Sequence, residues 1–145
     1  MSTPSTSAGA ATGPLVDPER LARAVVRDEP FHFLVAEGQL PTDADTRAPL
    51  ERDFPRYPSA GFFPYDPADC GPGINRLIET LLAPEFANAI GHHLGVPRLA
   101  GYPTLITLCR SLNRRHGTVH TDSLSKVATA QIEQALINLL KNARE

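Results

Sequence analysis

His120-Thr121-Asp122 is the stretch whose residue types and spacing can do chemistry together. On an extended chain, residues two apart point to the same face, so the imidazole and the carboxylate can converge on one cation. Joined by a second histidine from elsewhere, they make the two-His-one-carboxylate facial triad, a donor set that suits non-haem Fe(II) and leaves coordination positions open. A His-x-Asp triplet alone is a short motif that specifies little. Its setting adds to it: a strand-like stretch comes before, Gly117 marks a turn, and another strand-like stretch follows.

The remaining candidates are weaker. Of the five histidines, His116 lies four residues before His120 across a glycine, so its direction is unconstrained. His32, His92 and His93 fall on earlier elements and read as surface or helix-end histidines rather than ligands. Cys70 and Cys109 are far apart with no Cys-x-x-Cys spacing, which supports neither a disulfide framework nor a structural zinc site. Cys109 reads as a small buried apolar residue.

The elements that must position His120 and Asp122 can be read from composition and periodicity. A chain of 145 residues is the size of one domain, and 41% hydrophobic with 21% charged residues suits a soluble globule. A formal net charge of -2 and a pI near 6.2 give no electrostatic footprint for nucleic acid or an anionic membrane. Trp is absent and aromatics are 6%, so the core must be mainly aliphatic. No apolar run approaches the roughly 18 residues that span a bilayer. The first residues lack the basic and apolar regions of a signal peptide, and we expect a cytoplasmic protein.

Residues 1–14 have no large apolar side chain except Met1 and cannot offset their ordering entropy, so they are expected to be a disordered tail. Asp17, Pro18 and Glu19 announce a helix running through Leu21, Ala24, Val25 and Asp28 until Pro30 stops it. Residues 31–35 read as a strand. Residues 36–53 are polar, with a helical turn expected between Pro49 and Asp53. Residues 54–72 interleave aromatics with prolines and read as an ordered irregular loop over the core; a polyproline ligand is the less favoured reading. Ile74, Leu77, Ile78, Leu81 and Leu82 keep helical spacing, and Pro84 opens a second helix with Phe86, Ile90 and Leu94 on one face, ended by Gly95. Residues 104–112 read as a strand, with further extended stretches at 118–122 and 125–128. Ile132, Ala135, Leu136, Leu139 and Leu140 form a final amphipathic stripe.

With FLVAEGQLP, FPRYPSAGFFPYDP, the helix pair to Gly95 and HGTVHTDS in place, the span from about Phe31 to Ala128 resembles the bacterial prolyl-hydroxylase-like 2-oxoglutarate/Fe(II)-dependent oxygenases. The resemblance implies an α+β fold, a double-stranded β-helix (jelly roll) buttressed by N-terminal helices, present in part. It implies Fe(II) as metal, 2-oxoglutarate as co-substrate, and a peptide or small molecule as substrate. His120 and Asp122 match the first two iron ligands. The family's second histidine, and the Arg or Lys that anchors 2-oxoglutarate, come later in its pattern; after Asp122 this sequence has no histidine. Arg144 falls at the end of a helical pattern, not on a late strand.

The stretch ATAQIEQALINLLKNARE is similar to the N-box helix of histidine-kinase ATP-binding domains. Asn138 and Asn142 match its motif and, being four apart, share one helical face. The resemblance implies a Mg²⁺ ligand at Asn142, an amide oxygen being a hard donor. An ordinary amphipathic helix explains the same residues. We therefore expect a tail (1–14), a partial oxygenase domain (15–128) and a foreign-looking C-terminal helix (129–145). As a truncated dioxygenase the chain would be inactive alone, with self-association through exposed sheet edges. A non-catalytic interaction protein and a sensor-kinase-type nucleotide-binding fragment are the alternatives.

Overall fold

The computed structural model describes residues 15–40 and 43–112. His116, His120, Asp122, Asn138 and Asn142 lie outside the described residues, as do the 1–14 tail, the stretches 118–122 and 125–128, and the helix of 129–145. The described residues form an α+β arrangement of four α-helices and two separate two-stranded antiparallel sheets.

The chain enters through Leu15 and Val16, both buried, and Asp17 caps α1 (Pro18–Ala22) by accepting the backbone N–H groups of Glu19 and Arg20 at 3.0 and 3.1 Å. This helix stops six residues short of the expected Asp28. Val25 and Val26 are β-branched, stiff in a helix and well suited to a pleated strand. They enter β1 (Val25–Arg27), which pairs antiparallel with β2 (Phe33–Val35). Phe31 and His32 belong to the connection, so this strand is shorter than 31–35.

The polar stretch that follows holds α2 (Ala44–Asp53), a full helix rather than one turn. Asp43 starts it by accepting the Thr46 N–H at 2.8 Å, and Leu50 pins it to the core. The segment 54–72, expected to be irregular throughout, contains β3 (Gly61–Pro64). Its aromatics alone gave no sign of pairing, because the partner, β4 (Thr107–Arg110), lies far along the chain. The pairing is antiparallel, with Phe62 opposite Cys109 and Phe63 opposite Leu108. It takes only the middle of the 104–112 stretch.

Between these strands run α3 (Pro72–Leu82) and α4 (Pro84–Leu94), with a short 3₁₀ turn at Leu99–Gly101. Ile74, Leu77 and Ile78 of α3 are buried as their spacing requires, and they join Leu15, Val16, Leu50 and Leu108 in one aliphatic core. Gly95 ends α4 in the left-handed region (φ 68°), where a Cβ is unfavourable.

Candidate functional site

β4 is the described element nearest in sequence to His120-Thr121-Asp122, which lie outside the described residues. Leu108 drops into the core, and alternation turns Thr107 and Cys109 to the opposite face. On the partner strand, Phe63 stacks on Tyr57 with ring centroids 3.8 Å apart and planes 7° from parallel, while Tyr57 meets Phe54 edge-on at 6.3 Å. Just past β3, the Tyr65 N–H donates to the Ile106 carbonyl at 3.0 Å, extending the pairing by one bond.

The Tyr65 side chain then ties the sheet to α3. Its hydroxyl donates to Asn75 Oδ1 at 2.8 Å, and Asn75 Nδ2 donates to the carbonyls of Pro67 and Cys70 at 3.1 and 3.4 Å. One side chain thus holds the strand exit, the turn at 66–70 and the first turns of the helix.

The buried charged side chain among the described residues is Asp53. Its Oδ2 accepts the Gly73 N–H at 2.7 Å, its Oδ1 accepts Arg52 Nε at 2.7 Å, and its backbone carbonyl accepts the Gly71 N–H at 2.8 Å. The carboxylate therefore caps α3 from the end of α2. The Arg52 guanidinium, and after it the Gly73 N–H, hold this carboxyl below its ordinary range. A Cβ on Gly71 would sit 2.5 Å from the Asp53 side chain, so a glycine is required for the approach. Both carboxylate oxygens are engaged within the fold, which makes Asp53 a clasp and not a proton-transfer group. Sequence reading missed it; the Gly71-Pro72-Gly73 stretch at a helix start was the available signal.

The described histidines do not converge on one point with acidic groups. His32 sits between the Asp28 carboxylate and the His93 carbonyl, and His93 Nε2 donates to the Leu21 carbonyl at 2.7 Å. His92 is exposed in the last turn of α4. Among the described residues, no group of three or more His, Cys, Asp or Glu could hold a metal ion. Cys70 and Cys109 are free and half-buried, and burial pushes both thiols up, so neither is an activated nucleophile. No helix among the described residues is long and apolar enough to cross a membrane.

No protein-family model, curated protein or solved structure matches this chain.

Proposed function

We propose that this chain carries part of an Fe(II)/2-oxoglutarate-dependent oxygenase domain of the prolyl-hydroxylase-like kind, with His120 and Asp122 as its iron ligands. The observation that carries the reading is the His-x-Asp triplet in HGTVHTDS, downstream of FPRYPSAGFFPYDP and the helix pair. On this reading, β3 and β4 belong to a jelly roll that α3 and α4 buttress. An imidazole nitrogen and a carboxylate oxygen are donors of the right hardness for Fe(II), which when bound supplies a centre for dioxygen and a 2-oxo acid.

The third protein ligand has no candidate among the described histidines. His32 and His93 already bond within the fold, and His92 stands apart from any acid cluster. If His120 and Asp122 are the only protein ligands in place, binding is weak and hydroxylation is not coupled to 2-oxoglutarate decarboxylation. The substrate on this reading is a prolyl peptide or small molecule.

Calorimetric titration with Mn(II), or with Fe(II) under anaerobic conditions, tests the assignment. Wild type binds in the weak range, and His120→Ala and Asp122→Ala each reduce affinity by about tenfold or more. Equal binding by all three proteins overturns the reading.

A further inference from the structure

The outer face of the β1–β2 hairpin does not face the core. Alternation sets Val25, Arg27, Phe33 and Val35 on one face, and the register pairs Val25 with Val35 and Arg27 with Phe33. Val26 and Leu34 turn to the other, half-buried face. Val25 and Val35 are 67% and 59% exposed, unusual for a cross-strand pair of branched aliphatics. Arg20 and Arg23, at the end of α1, border this face, and with it they line a broad cleft of about 710 Å³ that is open to solvent. That volume lies in the range of small-molecule sites.

The three arginines of the cleft are not equivalent. Arg20 Nε pairs with Asp17 at 3.1 Å, and its guanidinium lies so close to Gly38 that a Cβ there would be 2.0 Å from Nη1. Arg20 is therefore wall. Arg23 reaches Glu19 only at 3.6 Å, both side chains being mostly exposed, a pair that a competing anion can replace. Arg27 has no ion pair among the described residues. Two available guanidinium forks thus border a floor of valines and one phenylalanine, with Glu37 the acid of the lining.

We propose that this cleft binds a small amphipathic carboxylate. Its anionic head meets Arg27 and Arg23, whose planar forks match a carboxylate, and its apolar body covers Val25, Val35 and Phe33. Neither the head nor the body alone accounts for the lining. The site is independent of the iron reading and is expected in metal-free protein.

The test is titration of the metal-free full chain with octanoate, followed by calorimetry and by backbone amide resonances. Saturable binding is expected, with the largest changes at Val25, Phe33 and Val35. Octanol, which has the body without the charge, and the Arg27→Gln variant each weaken binding by about tenfold, the scale of one charged hydrogen-bonded contact. Arg27→Lys, keeping charge but not the fork, falls between, and Glu37→Gln tightens binding. Equal affinity for octanol and octanoate overturns the proposal. So does unchanged binding in Arg27→Gln and Arg23→Gln, or perturbation centred on Phe62 and Leu105 instead.

Discussion

Asp53 shows how much one residue can settle in this fold. Its carboxylate accepts a backbone N–H at the start of α3 and a guanidinium N–H from its exposed neighbour Arg52. Asp53→Asn keeps the shape but weakens both contacts, and we expect a loss of about 1–3 kcal/mol in urea unfolding at neutral pH. The pH dependence follows from the direction of the shift. The folded-state carboxyl titrates below its ordinary value of 3.8, so its contribution is complete above that value and is lost as pH falls through the folded-state pKa. Wild type should therefore lose more stability than Asp53→Asn between pH 5 and about pH 3. Asp43, lowered by the Thr46 N–H, keeps part of the acid sensitivity in the variant. Identical acid profiles in the two proteins would show that the carboxylate is not what α3 depends on. The sequence concealed this clasp because a carboxylate and the N–H it caps, though only twenty positions apart, show no periodicity linking them.

At the level of elements, legibility followed length and self-sufficiency. α3 and α4 could be read directly, since Ile74, Leu77 and Ile78 repeat at helical spacing and Gly95 marks the end. β1 and β3 could not, because strands of three and four residues exist only through their partners. Val25, read as part of a helix face, became a strand residue once residues 33–35 lay beside it. His120 and Asp122, the proposed iron ligands, belong to a third situation: their spacing, their setting and a family resemblance suggested them, and they lie outside the described residues. Two substitutions separate local from tertiary contributions. Ile78→Ala removes a buried branched side chain from the core and should cost about 2–5 kcal/mol. Tyr65→Phe removes only the hydroxyl bond to Asn75, so about 1 kcal/mol is expected, with α3 helicity retained by circular dichroism. If Tyr65→Phe proves as damaging as Ile78→Ala, the Tyr65–Asn75 bond is structurally far more central than its geometry implies.

For the whole molecule, we expect the two small sheets to govern how the chain behaves at high concentration. The described region has two strand pairs rather than one wide sheet, and among the described residues the outer edges of each pair carry no further strand. On the β3–β4 pair the face away from the core carries Phe62, 69% exposed, opposite Cys109, and Leu105 follows just before β4 at 81% exposed. Rings and branched chains displayed this way favour burial against a second copy. We therefore expect light scattering after size exclusion to show mass rising with loading concentration. Phe62→Ser should reduce that association with little change in the unfolding midpoint, since Phe62 is not part of the core cluster among the described residues. The same experiment bears on activity. If the domain is an oxygenase supplying two iron ligands, neither the monomer fraction nor the associated fraction should release succinate from 2-oxoglutarate above the rate of free Fe(II). A stable monomer with a sharp unfolding transition and Fe(II)-dependent succinate release would refute both expectations at once. It would require a third protein ligand besides His120 and Asp122.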